Sequence, residues 1–146
     1  GLFSEPFAES VVLVLFAPGK AFPVKNNAAF TGKELGTVRG YNYSGFGDLF
    51  TSGKIQRVDK VSEGQLIRSL AAGRIDQILI EKSVALYHIS LEPESMSSLE
   101  LGDVIEATAI SMRVHPQKKN SIRLMNKALK DMRTSGVIDQ IYQKYQ

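Results

Sequence analysis

The chain has 146 residues, of which 43% are hydrophobic and 23% charged, and this composition excludes disordered and fibrous proteins. Lys and Arg number 18 against 15 Asp and Glu, which gives a net charge of +3 that is mostly scattered along the sequence. The absence of cysteine excludes disulfides, thiolate zinc sites and cysteine nucleophiles. We therefore expect one compact globular domain that needs no covalent crosslinks.

The first apolar run predicts a buried, central strand. Residues 10–17 are rich in β-branched side chains, and Pro18 and Gly19 follow them and end the strand. Residues 18–31 predict an irregular connection. The run is far shorter than the roughly 20 residues of a membrane-spanning helix, so we expect no membrane insertion. The chain opens at Gly1 without a basic stretch followed by an apolar one, so we expect that any export signal is absent or was removed.

Strands and helices alternate through the middle of the sequence. The predicted strands lie at residues 35–39, 55–58 and 75–80. The predicted helices lie at residues 44–50, 62–72 and 83–89. This β-α-β-α-β-α order predicts an α/β fold with a largely parallel sheet flanked by helices.

The second of these helices has clear start and stop signals. Ser62 and Gln65 have the spacing of a capping box, in which the Ser side chain accepts a hydrogen bond from the first turn. Gly73 lies where a left-handed residue is expected to end the helix. Its apolar stripe consists of Leu66, Ile67, Leu70 and Ala71.

The last third of the sequence predicts one more strand and two amphipathic helices. After a polar loop at residues 93–100, residues 104–112 match residues 10–17 in length and character, so we expect these two strands to run side by side. The two C-terminal helices are separated by Gly136. Each has an apolar stripe and therefore needs a partner surface.

Side chains suited to catalysis or metal binding are scattered. No spacing places a nucleophile beside a base, so we expect neither an enzyme nor a cofactor. His88 and His115 have no companion ligands, which favours surface or packed histidines over a zinc site. The glycine-rich residues 40–47 lack the Gly-Lys-Ser/Thr ending of a phosphate-binding loop.

The penultimate helix is strongly basic, with Lys118, Lys119, Arg123, Lys127, Lys130 and Arg133. Such a series can follow a phosphate backbone, so a nucleic-acid-binding module is an alternative function. Basic runs of this kind are more often the solvated face of an amphipathic helix. We therefore predict no nucleic-acid partner.

Several short motifs resemble one protein family in their order and spacing. Phe3-Ser-Glu-Pro-Phe7, followed by the apolar residues 11–14, resembles the Phe-Ser-Asp-Pro-Tyr and apolar-strand passage of family 3 solute-binding proteins, the amino-acid receptors of ABC importers. Leu35-Gly-Thr-Val-Arg-Gly40 is similar to their Val-Gly-Val-x-x-Gly strand and turn. Residues 71–85 resemble their Gly-Arg-Val-Asp-Ala-Val-Ile-x-Asp-x-x-Val-Ala, and residues 128–145 resemble their closing helices.

The resemblance implies a periplasmic-binding-protein-like fold, in which two α/β lobes close about a two-strand hinge. Residues 19–105 would form a complete lobe two. Residues 1–18 and 106–146 would supply the hinge strands and the C-terminal helices of a partial lobe one. The implied function is a periplasmic or extracytoplasmic receptor that binds a small polar, amino-acid-like ligand and delivers it to an ABC permease. A ligand-sensing input domain of a membrane signalling protein is the alternative.

The incomplete lobe one also predicts self-association. We expect the apolar faces of residues 11–16 and 122–132 to be exposed in the absence of the rest of that lobe. Exposed apolar patches of this kind favour contact between copies of a chain. A homo-oligomer formed through the partial lobe is therefore an expected partner state.

Two elements of the family's ligand site match positions in this sequence. Gly40, Tyr41 and Asn42 match a Gly-Thr-Thr turn whose backbone N–H groups meet an anionic group of the ligand. The alternative is an ordinary turn between a strand and a helix. Glu81 matches an aspartate that accepts hydrogen bonds from the ligand's ammonium group. The alternative for Glu81 is an exposed acid in the first turn of the next helix.

Overall fold

The computed structural model describes residues 1–145, which form two compact units. The unit that we call the sheet unit is Val11–Glu106. The unit that we call the terminal unit combines Gly1–Ser10 with the chain from Ala107 onward. The chain passes from one unit to the other within two long strands.

The described residues contain seven strands and six α-helices. The strands are β1 (Leu2–Phe3), β2 (Ala8–Phe16), β3 (Glu34–Val38), β4 (Gln56–Lys60), β5 (Gln77–Glu81), β6 (Glu100–Ile110) and β7 (Arg113–Val114). The helices are α1 (Gly47–Thr51), α2 (Glu63–Ala71), α3 (Lys82–Leu91), α4 (Pro93–Met96), α5 (Ser121–Thr134) and α6 (Val137–Lys144). Short 3-10 turns lie at Asn27–Phe30 and Pro116–Lys118.

Five strands form the main sheet in the order β4-β3-β5-β2-β6. Strand β3 is parallel to both β4 and β5, whereas β2 is antiparallel to β5, with Leu13 opposite Ile80. Strands β2 and β6 are neighbours, as their similar sequences predicted. The parallel part of the sheet is therefore β4-β3-β5, and its three strands end at the same edge.

Each face of this sheet packs against its own apolar cluster. Leu13 and Leu15 belong to the cluster that includes α2 and α3, while Val14 and Phe16 belong to a second cluster rich in aromatic rings. This alternation follows from the two-residue repeat of a strand. Residues 13–16 are at most 3% exposed, so the prediction that the apolar face of residues 11–16 is exposed is wrong for this part of the run. Both faces of the strand are covered within the sheet unit.

The start and stop signals of α2 are confirmed. The Ser62 side chain accepts a hydrogen bond from the Gln65 N–H at 3.3 Å, and Gly73 has a φ of +67° just beyond the helix. Leu66, Ile67 and Leu70 have no exposed surface. These local signals place the beginning of α2 directly after β4, at the edge where the parallel strands end.

Two elements differ from the prediction. The helix expected at residues 44–50 is shorter and begins at Gly47, because Gly45 has a φ of +75° and a turn joins Phe46 N–H to the Tyr43 carbonyl. The segment expected to be a polar loop at residues 93–100 contains α4, whose Met96 is 1% exposed. Proline at the first position of α4 favours this short helix despite its polar sequence.

The terminal unit has a small core. Strands β1 and β7 pair antiparallel, and Gly136, with a φ of +76°, separates α5 from α6 as expected. Among the described residues, Val114 and Leu129 are its buried apolar residues. Ile122, Met125 and Met132 are half-buried, so the prediction that the apolar face of residues 122–132 is exposed is wrong for this stripe. Leu124, beside the stripe, is 70% exposed. Within residues 1–145, no helix is long and apolar enough to cross a membrane.

Candidate functional site

The carboxyl ends of the three parallel strands bring together residues that are far apart in the sequence. Strands β3 and β4 run in register, with Val38 opposite Lys60, and β5 ends at Glu81. Ligands of α/β proteins commonly bind at this edge of a parallel sheet. The turn at residues 38–41, the start of α2 and the start of α3 all lie there. We call this edge the candidate site.

The turn after β3 contains the predicted residues Gly40, Tyr41 and Asn42. The Tyr41 N–H closes it by donating to the Val38 carbonyl at 3.1 Å. Gly40 has a φ of +81°, and this third position of the turn requires glycine for that reason. Among residues 1–145, the backbone N–H groups of Gly40 and Asn42 have no hydrogen-bond acceptor. The amide of Tyr41 is used by the turn, while those of Gly40 and Asn42 are available.

The Tyr41 side chain extends towards the start of α2. Its hydroxyl donates to Glu63 Oε1 at 2.6 Å, and the residue is 50% exposed. The hydrogen bond to Glu63, together with the negative charge of that carboxylate, raises the pKa of Tyr41 above its ordinary value. Glu63 is a site residue that the sequence interpretation missed. Its place as the first residue of α2, after a parallel strand, is the signal that could have identified it.

Glu81 caps the N-terminus of α3. Its Oε2 accepts from the Val84 N–H at 3.0 Å, and its Oε1 is 3.4 Å from both the Val11 N–H and the Ser83 hydroxyl. The residue is half-buried. Within residues 1–145, no Lys or Arg forms an ion pair with it. A carboxylate has about four acceptor positions, so Glu81 can cap the helix and still accept from a ligand.

Arg57 connects β4 to the turn that contains Gly40. Its Nε donates to Asp59 Oδ1 at 2.8 Å and to Thr37 Oγ1 at 3.1 Å. Its Nη2 donates to the carbonyls of Val38 and Tyr41, at 3.1 and 2.9 Å. The sequence interpretation missed this arginine as well. Arg57 and Asp59 lie two residues apart on a strand and so share a face, but the contact with the turn is not local in sequence.

The charge of Asp59 is stabilised at this position. Burial is the largest single influence on the pKa of Asp59 and acts to raise it. Hydrogen bonds from Thr37 and Arg57, with the positive charges of Arg57 and Arg39, together outweigh burial and hold the pKa below its ordinary value. Asp59 is therefore ionised at neutral pH and keeps the guanidinium of Arg57 in place.

A separate cavity of about 570 Å³ lies beside α2 and α4. Its lining includes Lys60, Arg68, Arg74, Ser69 and Met96. None of the predicted site residues lines it. The candidate site therefore rests on the strand ends and their hydrogen-bonding groups, and not on this cavity.

Among the described residues, neither histidine side chain forms a hydrogen bond with a predicted site residue. His88 lies within α3, where its ring contacts that of Tyr87, and His115 Nδ1 accepts from the Gln117 N–H at 3.3 Å. No group of three His, Asp or Glu side chains in the described part of the chain could hold a metal ion. The residues that the structure does bring together are backbone donors and carboxylates, which can bind a ligand of mixed charge.

Comparison with known proteins shows the fold. No family model and no curated protein matches the sequence. An ancestral arginine-binding protein bound to arginine matches with a TM-score of 0.72 and 20% identity, over 98% of this chain and 63% of that chain. An arginine periplasmic binding protein from Legionella pneumophila matches with a TM-score of 0.67 and 20% identity, over 99% and 65%.

A third similar structure is an ancestral amino acid-binding protein that is a precursor of cyclohexadienyl dehydratase. It matches with a TM-score of 0.70 and 17% identity, over 98% of this chain and 60% of that chain. At these identities the likeness establishes the fold, which is the predicted periplasmic-binding-protein-like α/β arrangement. The chain spans between 60% and 65% of the length of these three structures.

Proposed function

We propose that this chain is a non-enzymatic, periplasmic or extracytoplasmic receptor that binds an amino acid or a similar small polar solute for ABC-type import. Its fold is that of proteins whose names describe binding of arginine and other amino acids. The observation that carries the proposal is that available N–H groups at Gly40 and Asn42 follow β3 while the carboxylate of Glu81 lies at the end of the adjacent strand β5.

An α-amino acid presents both charges that such a site can bind. Its carboxylate would accept from the N–H groups of Gly40 and Asn42, where glycine permits close approach. Its ammonium group would donate to Glu81 in a charge-assisted hydrogen bond. Neighbouring strands are about 4.8 Å apart, so one small molecule can reach both groups. Tyr41, which is half exposed, offers an aromatic surface beside them.

We assign residues 19–105 to a complete lobe two that carries these groups. Residues 1–18 and 106–146 would be the hinge strands and the C-terminal helices of a partial lobe one. The proposal is supported by the long strands β2 and β6, within which the chain passes between the two units. Ligand-driven closure about such strands is a known mode of motion. An ABC permease would recognise the closed state.

A thermal-shift screen against amino acids and similar small polar solutes tests this function. The panel includes L-arginine and L-glutamine, and each hit is repeated with Glu81→Gln, whose amide oxygen can still accept from the Val84 N–H. A ligand at a hundred times its dissociation constant adds about 2.7 kcal/mol, which is several degrees for a chain of this size. We expect a shift in the wild-type chain that is lost in Glu81→Gln.

Glu100→Gln is the matched control for this experiment. Glu100 is also half-buried and also accepts from a backbone N–H, that of Gly19 at 3.1 Å, but it lies on β6. We expect this variant to keep the full shift. Mass spectrometry of each hit after incubation should recover unchanged solute, and a converted product would indicate an enzyme. If neither an amino acid nor a similar small polar solute shifts the wild-type chain, the proposed function is wrong.

The same proposal includes self-association through the terminal unit. Leu124, Ile141 and Tyr145 are 70%, 50% and 55% exposed. Burial of such side chains between two copies is favourable by about 25 cal/mol per Å² of apolar area. We expect light scattering to show concentration-dependent association that Leu124→Glu with Ile141→Glu abolishes. A wild-type chain that stays monomeric at all concentrations would contradict it.

A further inference from the structure

Arg57 forms a set of contacts that the proposed receptor function does not yet use. Its guanidinium reaches two backbone carbonyls of the turn after β3, those of Val38 and Tyr41. On its other side, Asp59 and the hydroxyl of Thr37 accept from Nε, and Thr37 in turn donates to Asp59 Oδ1 at 2.7 Å. The guanidinium is therefore held by hydrogen bonds at both Nε and Nη2.

Aromatic rings complete the surroundings of the guanidinium. Its central carbon is 5.2 Å from the ring centroid of Phe50 and 5.7 Å from that of Tyr43. The Arg57 side chain is 27% exposed. The hydroxyl of Tyr43 also accepts from the Val38 N–H at 3.0 Å. Val38 is thus held through its N–H by Tyr43 and through its carbonyl by Arg57.

The contact with Tyr41 fixes a second backbone group. The carbonyl of Tyr41 and the N–H of Asn42 belong to one planar trans peptide unit, so they point in opposite directions. When Arg57 holds this carbonyl at 2.9 Å, it also sets the direction of the Asn42 N–H, which has no acceptor among residues 1–145. A cation at the carbonyl oxygen polarises the peptide unit and strengthens its N–H as a donor.

We propose that Arg57 is a positioning residue that aims the Asn42 N–H at the anionic group of the ligand. This inference rests on the proposed function, since it concerns the same turn. Arg57 acts through the 41–42 peptide unit and does not contact the ligand. The role requires an arginine, because a lysine ammonium lacks the planar fork that reaches two carbonyls and two side chains together.

The first arm of the test needs no ligand. The Tyr41 N–H closes the turn by donating to the Val38 carbonyl, so its rate of hydrogen exchange reports the order of the turn. We expect exchange at Tyr41 to become faster in Arg57→Lys, while exchange at Leu79, in the core of β5, stays unchanged. The matched control is Arg68→Lys, at an exposed arginine on α2, which should leave both rates as in the wild type.

The second arm compares L-arginine with L-argininamide by isothermal titration calorimetry. L-Arginine has the carboxylate that the turn is proposed to bind, and L-argininamide has a neutral amide in its place. We expect the wild-type chain to prefer L-arginine, and Arg57→Lys to reduce that preference about tenfold, the effect of one hydrogen bond to a charged group. Arg68→Lys should keep the full preference. A general loss of stability would weaken the binding of both probes equally and leave the ratio of their dissociation constants unchanged.

The outcomes separate this inference from the proposed function. If the wild type binds neither probe nor any amino acid or similar small polar solute, the receptor function is wrong, and the exchange rate at Tyr41 alone decides whether Arg57 orders the turn. If the wild type prefers L-arginine and Arg57→Lys keeps that preference, the positioning role is wrong and the receptor function stands.

A second variant covers the case in which Arg57→Lys does not fold. Asp59→Asn keeps the guanidinium but removes the charge that holds it, and circular dichroism checks its fold. We expect a smaller loss of the preference for L-arginine, in the same direction. An unchanged preference in a folded Asp59→Asn chain would overturn the inference.

Discussion

The two units of this chain cover their amphipathic helices to very different extents. In the sheet unit, Leu66, Ile67 and Leu70 of α2 have no exposed surface. In the terminal unit, Leu124 of α5 is 70% exposed and Ile141 of α6 is 50% exposed. Leu66, Ile67 and Leu70 lie on the apolar stripe of α2 and Ile141 lies on that of α6, whereas Leu124 lies beside the stripe of α5. An amphipathic pattern thus predicts that a helix needs a partner surface, and the rest of the unit decides whether it has one.

This difference separates the parts of the molecule that we expect to be rigid from those that contribute little to stability. The sheet unit has two apolar clusters that bury residues of β2, β3 and β5. The ends of its parallel strands form the candidate site. Rigid strands are a good support for binding groups that must be placed accurately. The terminal unit buries few apolar side chains, among them Val114 and Leu129. Matched substitutions in the two units measure this contrast directly.

The largest expected effect comes from a matched pair of leucines. Leu66→Ala, in the core of the sheet unit, should lower the free energy of unfolding by about 3 kcal/mol, because it removes buried methyl groups and leaves a cavity. Leu124→Ala, on the exposed flank of α5, should change it by about 0.5 kcal/mol or less. Urea denaturation of both variants gives the comparison. Equal losses would show that the terminal unit is as tightly packed as the sheet unit.

A smaller effect is expected at the two helix starts. Ser62 caps α2 through a hydrogen bond from the Gln65 N–H, whereas the Asn120 side chain makes no capping bond to α5. Ser62→Ala should therefore lower the free energy of unfolding by about 1 kcal/mol. Asn120→Ala should change the free energy of unfolding by no more than a few tenths of a kcal/mol. Urea midpoints at constant m-value distinguish the two, and a larger loss at Asn120 would contradict the contrast.

The sequence predicts most of the sheet unit because its signals are local. The capping of α2 by Ser62, the left-handed Gly73 and the pairing of β2 with β6 follow from patterns within a few residues or from similar strands. The helical spacing of residues 44–50 predicts a start of α1 that is too early, because Gly45 takes a positive φ. A turn that depends on one backbone angle leaves little trace in the apolar pattern.

The candidate site is only partly predictable for a different reason. Gly40 lies just after β3 and Glu81 is the last residue of β5, so their place at one edge follows from a parallel sheet. The contacts of Arg57 with the Val38 and Tyr41 carbonyls join residues that are 19 and 16 positions apart. Such contacts depend on strand register and side-chain rotamers. The hydrogen bond between Tyr41 and Glu63 has the same origin. None of these three contacts joins residues at a helical or strand spacing, so the pattern of apolar and polar residues does not predict them.

The smallest expected contrast is the one between the ion pairs of the two units. Arg57 and Asp59 are 27% and 32% exposed, whereas Lys127 and Asp131 are 75% and 64% exposed. Asp59→Asn should lower the free energy of unfolding by about 1 kcal/mol at pH 7, because it loses a partly buried charge-assisted contact. Asp131→Asn should change it by less than about 0.5 kcal/mol, since exposed i,i+4 pairs are weak.

The pH dependence of this loss tests its cause. The folded pKa of Asp59 lies below its ordinary value of 3.8, so the folded state favours the charged form. The resulting stability is present above pH 3.8 and is lost as the pH falls through the lower, folded pKa. Urea denaturation at steps from pH 7 to pH 3 should therefore show the gap between wild type and Asp59→Asn closing at the acid end. A gap that stays constant across this range would mean that packing, and not the charge of Asp59, holds Arg57 against the turn.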